Sequence, residues 1–381
     1  MKVLHLGFED PRMPGAGGGS VRTHEINRRL ATKGFHVTVL TTRYPGWQER
    51  VEDGVHYVPI GFGTGGNRLT RLVAYVARLP FEVRKRRSTA EVVVEDFFAP
   101  FSTMAAPLWT KRPTIGVVQW LHARDKARQY KLPLHWIEWL GVKKHRRLIA
   151  VSQGIGDRLK ELNPDLHVEV IGNGVDPAVW NNEPGLGQDV LFIGRLEYGH
   201  KGLDLLLEAW AHACERVEGN LLIAGTGPDE ERLRTAIGDA GLSERVQMLG
   251  WLSGERKFRA LSDARLLVVP SRHETFGLVA IDALAAGTPV IAFDIPCLKE
   301  IIPTGTGWIV DAFDVEAFGD EIALRYSQAG LEQVAAEGRR FAAGYNWDAL
   351  ADLQAEAYRT ALTELKNPQN RWPQAADSER A

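Results

Sequence analysis

The chain has 381 residues, 44% of them hydrophobic and 25% charged, and a formal net charge of −2 at pH 7, which together predict a soluble protein of two domains and argue against a nucleic-acid partner. Its two cysteines, Cys214 and Cys297, give no disulfide framework, and no apolar run approaches the roughly 18 residues needed to span a bilayer. Because the chain also begins with a strand pattern instead of a signal peptide, a cytoplasmic location is expected.

The first predicted strand, Lys2 to Phe8, leads into a glycine run at 15–20 that opens a helix. A strand, a glycine loop and a helix in this order bring backbone N–H groups to a phosphate or a sugar. The run departs from the dinucleotide fingerprint because Ser20 stands at its last position, and the next strand ends in Arg43 without the acidic residue that binds an NAD ribose. A nicotinamide oxidoreductase is therefore disfavoured, and a plain connecting loop stays open as an alternative.

Two basic segments predict contact with an anionic membrane surface, where each basic residue contributes about 1 kcal/mol of attraction. The first, Arg71 to Arg87, includes an amphipathic helix that is expected to be interrupted at Pro80. The second is Lys143 to Arg147. The apolar positions of the helix are Leu69, Leu72, Val73 and Val76. The alternative is that the apolar stripe faces the protein's own core and the charges are solvated.

Further buried strands are predicted at 91–95, 114–118 and 148–151. His122 follows the second of them, at the carboxyl end of a parallel strand, where open α/β sheets bind ligands. An imidazole there is suited to bonding a sugar hydroxyl or moving a proton near neutral pH. A structural histidine is the alternative.

The second half of the chain repeats the alternation of strands and helices after a linker-like segment at 182–188. A strand at 190–193 is followed by Arg195 and Lys201, with glycines between and after them. Two cations around such a loop suit a diphosphate, because arginine supplies a fork of donors and lysine a point charge. Solvated surface charge is the alternative.

The stretch 270–292 predicts a strand end, a polar turn, a helix at 276–286 and another strand. Glu274 lies just before this helix, whose positive dipole end favours an anion. The N–H groups expected there are those of Phe276, Gly277 and Leu278. Asp282 lies within the helix among small apolar residues, where a carboxylate is costly to bury unless it is bonded. The alternative to a binding role is that Glu274 only caps the helix and Asp282 faces the solvent.

A turn glutamate, Phe-Gly, an acidic residue after seven intervening positions and then Ala-Ala-Gly-Thr-Pro-Val resemble the signature of the retaining family 4 glycosyltransferases of GT-B fold. The family pattern has glutamate at both acidic positions, whereas this chain has Asp282 at the second. The resemblance implies an α/β fold with two Rossmann-like α/β/α domains facing each other across a cleft, and a C-terminal helix that crosses back to the first domain.

The resemblance covers residues 1 to about 365 and implies the domain bounds. An acceptor-binding domain is expected at 1–181, a nucleotide-sugar-binding domain at 182–345 and the returning helix at 346–366. The polar tail at 367–381 is expected to be disordered.

The resemblance also implies the site. Catalytic roles fall on Glu274, His122, Arg195 and Lys201. Binding of the nucleotide sugar falls on Gly18, Gly19, Arg195, Lys201, Gly225, Trp251, Phe276, Gly277, Leu278 and Asp282. Asp282 would bond the ribose hydroxyls and Trp251 would stack on the base, although an aromatic residue at a strand end also suits a core.

The implied reaction moves a hexose from a nucleoside diphosphate sugar to a hydroxyl of a carbohydrate or lipid-linked acceptor, with retention of anomeric configuration. Other glycosyltransferases hold Mg²⁺ or Mn²⁺ on an Asp-x-Asp pair, which this chain lacks, so we expect neither a metal nor another cofactor. A nucleotide-sugar epimerase of the same fold and a non-catalytic, membrane-associated scaffold that binds a sugar nucleotide remain alternatives.

Overall fold

The computed structural model describes residues 1–14, 16–63, 66, 68–98, 105–121 and 134–366. The chain forms two compact units, the first made of Met1–Gly172 together with the segment from Trp347 onward, and the second of Asn173–Asn346. The sequence prediction places the boundary at 181/182, whereas residues 173–181 group with the second unit. No helix within the described ranges is long and apolar enough to cross a membrane.

The first unit is built on an eight-stranded sheet. Its strands are β1 (Lys2–Leu6), β2 (His36–Thr42), β3 (Arg50–Glu52), β4 (Val55–Ile60), β5 (Val92–Phe98), β6 (Thr114–Trp120), β7 (Arg147–Ala150) and β8 (His167–Val170). Their spatial order is β3-β4-β2-β1-β5-β6-β7-β8, and β3 pairs antiparallel with β4 at one edge. The chain reverses its direction of travel across the sheet between β1 and β5.

The second unit has a six-stranded parallel sheet in the order of a dinucleotide-binding fold, β11-β10-β9-β12-β13-β14. Its strands are β9 (Val190–Ile193), β10 (Leu221–Ala224), β11 (Val246–Gly250), β12 (Leu266–Val269), β13 (Val290–Phe293) and β14 (Gly307–Val310). Trp210 and Phe318 are fully buried in its core. The prediction of two Rossmann-like units is therefore confirmed.

The described helices lie between these strands and at the end of the chain. They are α1 (Gly18–Thr32), α2 (Arg68–Arg86), α3 (Leu134–Lys144), α4 (Gln153–Leu162), α5 (Tyr198–Lys201), α6 (Leu203–Ala213), α7 (Glu230–Asp239), α8 (Gly254–Asp263), α9 (Leu278–Ala286), α10 (Pro296–Ile301), α11 (Val315–Tyr326), α12 (Leu331–Ala342) and α13 (Trp347–Lys366). Gly202, which has a φ of 63°, separates α5 from α6.

The C-terminal helix α13 belongs to the first unit, where it packs on α1. Ala351, Ala355 and Tyr358 of α13 share a core with Ile26 and Leu30 of α1. Alanines at this contact allow the two helix backbones to approach closely. The predicted return of the last helix to the first domain is therefore confirmed.

A buried polar network fixes α1 to the sheet of the first unit. Asp96 accepts a hydrogen bond from Thr23 (2.7 Å) and lies 3.0 Å from Nε2 of His5, whose Nδ1 lies 2.8 Å from Nδ2 of Asn27. Since the amide of Asn27 donates, Nδ1 of His5 accepts. Nε2 of His5 therefore carries the hydrogen and donates it in a hydrogen bond to Asp96. These bonds fix where α1, and the glycine loop before it, stand on the sheet.

Helix α2 differs from its prediction in two ways. It runs through Pro80 without interruption, because Leu79 and Val83 on either side are almost completely buried and their packing outweighs one lost backbone hydrogen bond. Val73, one of the apolar positions of the predicted amphipathic helix, is 57% exposed, so the alternative of a core-facing stripe does not hold for it, whereas Tyr75 is buried.

Candidate active site

The order of the second sheet reverses between β9 and β12, so the loops that follow these two strands leave in opposite directions. The crevice outside the carboxyl ends of the strands at such a reversal is the usual ligand site of an open α/β sheet. The segment after β9 carries Arg195 and Lys201, and the segment after β12 carries Glu274. The topology therefore brings together the charged residues that the sequence predicted.

Lys201 and Glu274 form an ion pair between these two segments. Nζ of Lys201 bonds Oε1 of Glu274, and the hydroxyl of Ser271 donates to the same oxygen over 3.0 Å. The two side chains are 21% and 12% exposed, which shields the pair from bulk water without sealing it. Glu274 does not cap α9, because Gly277 is the N-cap residue and no side chain bonds there. The capping alternative is wrong.

The turn that carries Glu274 is fastened to the segment after β9. The backbone N–H of Arg272 donates to the carbonyl of His200 (2.9 Å), and its guanidinium donates to the carbonyl of Tyr198 (3.0 Å). Two further bonds of 2.7 Å join Arg272 to Asp204, and these bonds hold the pKa of Asp204 below its usual range. The distance between Lys201 and Glu274 is therefore set by rigid surroundings.

Helix α9 begins at Leu278, two residues later than predicted. Gly277 adopts φ 88° and ψ 46°, and a Cβ at this position would lie 2.7 Å from Leu298, so the chain needs glycine here. Phe276 is buried and its ring stands edge-on to Tyr345 at 5.9 Å. The first N–H groups of the helix are thus those of Leu278 and Val279, which an α-helix leaves without intrahelical partners.

Arg195 presents a second cation at this edge of the sheet. Its side chain is 56% exposed and its ion-pair partner Glu197 lies 3.9 Å away, at the limit of such a contact. A guanidinium held this loosely keeps its donors for a ligand.

Gly225 marks a close approach between the loops that follow β9 and β10. It has a φ of 144°, and an added Cβ would lie 1.8 Å from the carbonyl oxygen of Gly194. The N–H of Leu196 donates to the carbonyl of Thr226 over 3.0 Å. These two loops form one layer of backbone beside Arg195.

The substitution Gly225→Ala is expected to abolish binding of a nucleoside diphosphate while the sheet stays folded. The added Cβ must push the Gly194 loop, and Arg195 with it, away from the site. Calorimetric titration with nucleoside diphosphates measures the loss. Gly238→Ala, where nothing lies within 4 Å of the added Cβ, is the control. Unchanged affinity in Gly225→Ala would show that this loop plays no part in binding.

Trp251 follows β11 and is 62% exposed, so the alternative that its ring belongs to the core is wrong. A large exposed ring beside the Gly225 loop offers a flat apolar face. Gly225 and Gly250, the residue before Trp251, are joined by a backbone bond of 2.8 Å.

Asp282 is buried, with 5% of its surface exposed, and bonds Nζ of Lys257 on α8 over 2.5 Å. Burial raises its pKa, while the charge and the hydrogen bond of Lys257 act in the opposite direction. The solvent-facing alternative is therefore wrong. Lys257 was not among the predicted site residues, since its contact with Asp282 arises from the packing of α8 against α9.

The remaining predicted residues belong to the first unit. Gly18 and Gly19 form the start of α1, behind the N-cap residue Gly17, whose N–H donates to Glu9 over 3.0 Å. The side-chain amide of Gln119 lies 3.4 Å from the carbonyl oxygen of Gly19. His122 lies outside the described residues.

The chain matches two protein-family models and several curated proteins. The model of "Glycosyltransferase Family 4" matches residues 16–179, and that of "Glycosyl transferases group 1" matches residues 179–340. A phosphatidyl-myo-inositol mannosyltransferase of Mycobacterium leprae is 35% identical over 184 residues, which are 47% of this chain and 48% of that protein, so the match spans about half of that relative. A glycogen synthase of Mycobacterium tuberculosis is 27% identical over 98% of both chains.

Among solved structures, the sucrose-phosphate synthase of Thermosynechococcus elongatus superposes with a TM-score of 0.83 at 20% identity, covering 95% of this chain and 99% of that one. This similarity shows that the fold is GT-B.

Proposed function

The chain belongs to the family 4, group 1 glycosyltransferases of GT-B fold, and on this premise we propose that it moves a hexose from a nucleoside diphosphate sugar to an acceptor hydroxyl with retention of anomeric configuration. The observation that carries the proposal is the ion pair of Lys201 and Glu274 at the reversal of the second sheet. A cation suited to a phosphate and a carboxylate suited to sugar hydroxyls lie side by side in this pair, which supports the proposal.

Breaking the anomeric bond leaves an oxocarbenium-like sugar and a nucleoside diphosphate that carries extra negative charge. Positive charge fixed around that leaving group is worth more in the transition state than in the ground state. Lys201, the exposed Arg195 and the N-terminus of α9 supply it in the second unit. Glu274, held by Ser271 and Lys201, accepts hydrogen bonds from donor-sugar hydroxyls. The family resemblance assigns a role at the donor sugar to His122 as well.

Retention is proposed to proceed by front-side attack, in which the leaving phosphate takes the proton of the acceptor hydroxyl. Glu274 already bonds Lys201 and Ser271, an arrangement suited to holding a sugar and poorly suited to nucleophilic attack. Burial raises the pKa of the nearby Cys297 thiol to about 12, so this sulfur stays protonated at neutral pH. Mass spectrometry of enzyme quenched with donor is expected to show no glycosyl adduct, and an adduct would overturn the front-side step.

Transfer is proposed to need no metal, because Arg195 and Lys201 take the place of the divalent cation that other enzymes set on the diphosphate. Enzyme treated with EDTA is therefore expected to keep full activity. Activity that disappears with EDTA and returns with Mn²⁺ would refute metal independence.

The donor can be identified by thermal shift and slow hydrolysis with UDP-, GDP- and ADP-hexoses. A ligand at about 100 times its Kd stabilises the folded chain by about 2.7 kcal/mol, a shift of a few degrees. We expect one nucleotide sugar to raise the melting temperature of wild type and to be hydrolysed slowly, with both effects lost in Arg195→Ala and Glu274→Ala. If no donor binds, the transferase proposal fails.

The same screen separates the alternatives. An epimerase converts the bound nucleotide sugar into its epimer without an acceptor. A non-catalytic scaffold binds it and leaves it unchanged.

We further propose that the protein acts on a carbohydrate or lipid-linked acceptor while in peripheral contact with an anionic membrane. One face of α3, next to the basic segment at 143–147, carries Trp136, Trp139 and Leu140, which are 69%, 46% and 46% exposed. Nζ of Lys143 lies 4.1 Å above the ring of Trp139. Exposed tryptophans beside lysines match the composition of helices that lie in a membrane interface.

The double substitution Trp136→Ser and Trp139→Ser is expected to abolish binding to vesicles that contain phosphatidylglycerol, because it removes most of the apolar area that the helix face can insert. Co-sedimentation with vesicles measures the effect. The exposed Trp251 of the other unit, replaced by serine, is the matched control. Equal binding of the double variant and wild type would refute contact through this face.

A further inference from the structure

We propose that the first unit contains a second anion site, formed by Arg43 and Arg71, that binds a phosphate group of the acceptor. This inference rests on the proposed transfer reaction and names the chemical class of its acceptor. The two guanidinium groups belong to different elements of one unit. Neither has a carboxylate partner among the described residues.

Both arginines lie over the carboxyl edge of the sheet around β1 and β2. Arg43 directly follows β2 (His36–Thr42). Tyr75 of α2 donates hydrogen bonds to the carbonyls of Gly7 (3.0 Å) and Leu40 (3.2 Å), which fixes α2 beyond the end of these strands. Arg71 is one turn before Tyr75 on the same face of α2, and it contacts Met13 in the loop between β1 and α1. This edge is where an α/β sheet binds ligands.

The contacts of the two arginines leave their strongest donors unused. The guanidinium of Arg43 lies 4.5 Å above the ring of Trp47, a contact made by the face of the group that leaves its in-plane N–H donors free. Arg71 donates from Nη1 to the sulfur of Met13 at 3.0 Å, and a thioether is a weak acceptor. Nε of each arginine is buried and has no hydrogen-bond partner in the described part of the chain, although both side chains are only partly buried.

The neighbouring carboxylates are already occupied. Asp10 receives two bonds from Arg50, at 2.7 and 2.8 Å, and Glu52 is bonded by both Arg50 and Arg12. Glu9 accepts from the N–H of Gly17. Arg12 and Arg50 balance the charges of Asp10 and Glu52, whereas Glu9, which accepts from a neutral N–H group, keeps one negative charge.

Arg43 and Arg71 carry two positive charges that form no ion pair among the described residues, against the one negative charge of Glu9, so this group of side chains keeps a net positive charge. Two guanidinium forks match a dianionic tetrahedral group, because each fork can bond two of its oxygens. A carboxylate would need only one fork. The site is thus suited to a phosphate ester, whether this belongs to a soluble sugar phosphate or to a lipid headgroup.

The test titrates inorganic phosphate into the full chain carrying Arg195→Ala and Lys201→Ala, which silences the anion site of the second unit. In this background Arg43→Gln and Arg71→Gln are each expected to weaken phosphate affinity roughly tenfold. Arg78→Gln is the matched control, because Arg78 lies on the same helix, is exposed and pairs with Glu82. Sodium acetate at equal ionic strength is expected to bind in none of them.

Arg43→Lys keeps the charge and loses the fork, so it is expected to bind phosphate with intermediate affinity. It also shows whether any loss in Arg43→Gln comes from misfolding. Unchanged phosphate affinity in both Gln variants, or an equal loss in Arg78→Gln, would overturn the proposal.

Two further arms distinguish the sources of the phosphate. Loss of glycerol 3-phosphate binding in the Gln variants, with unchanged binding to phosphatidic acid vesicles, identifies a soluble ester. Loss of binding to phosphatidic acid vesicles in the Gln variants, with unchanged binding of glycerol 3-phosphate, identifies a lipid headgroup. A wild type that binds no nucleotide sugar refutes the transferase function, whereas an unchanged phosphate affinity refutes only this acceptor site.

Discussion

Lys201→Ala is expected to lower the rate of donor turnover by about 100- to 1,000-fold, the usual effect of removing one group that stabilises charge in a transition state. The ammonium of Lys201 is bonded to Glu274 and only 21% exposed, so its charge acts on the diphosphate with little screening by water. The rate is measured as hydrolysis of the nucleotide sugar identified by the donor screen. Lys299→Ala is the matched control, because Lys299 forms an exposed pair with Asp294.

The pair of Lys201 and Glu274 is expected to act as one unit. Glu274→Gln alone leaves Lys201 without its anion, and the double variant removes both charges. Because either loss already disorders the pair, the double variant should be little slower than the worse single variant. Rate losses that multiply would show that the two residues act independently, and a comparable loss in Lys299→Ala would show that only the net charge matters.

The parts of the fold that the sequence predicted best are those with a continuous buried apolar run. Strand β9 has the predicted bounds 190–193, since strands covered on both faces of a parallel sheet carry an unbroken hydrophobic signal. Strands β3 and β8 were not predicted, because their residues are partly exposed and polar. The uninterrupted course of α2 through Pro80 depends on packing that a local pattern does not contain.

The candidate site divides in the same way. The motifs identified Lys201 and Glu274, and the topology of the second sheet brings these residues together. Their ion pair depends on the turn that carries Glu274, which Arg272 fastens to Tyr198. These two residues are 74 positions apart in the sequence. Lys257 was missed because its partner lies on another helix, and no spacing along the chain records that contact.

Lys257→Met is expected to lower the free energy of unfolding by about 3 kcal/mol at neutral pH, because it leaves a buried carboxylate without its cation. Asp282 is 5% exposed and its bond to Lys257 is 2.5 Å long. Urea unfolding measures the loss. Lys299→Met, which breaks an exposed pair, should cost much less.

The cost of Lys257→Met is expected to depend on pH in a defined direction. Burial already raises the pKa of Asp282, and Lys257 opposes that rise, so removing the lysine raises the pKa further. The folded variant then holds the proton of Asp282 more tightly than the unfolded chain, and its stability falls as pH rises from the unfolded pKa, about 3.9, through the folded pKa. The loss should therefore be larger at about pH 8 than at about pH 5.

Asp282→Asn placed in the Lys257→Met background removes the titrating group, so it should recover most of the stability and abolish the difference between the two pH values. A cost of Lys257→Met that is equal at both pH values would contradict a buried, uncompensated Asp282. The pair also bears on the donor, because an ionised carboxylate is acceptor-only and bonds the two hydroxyls of a ribose more strongly than a protonated carboxyl group does. If Asp282 binds the nucleotide as the resemblance implies, Lys257 keeps it ionised, and Lys257→Met should weaken nucleotide binding together with stability.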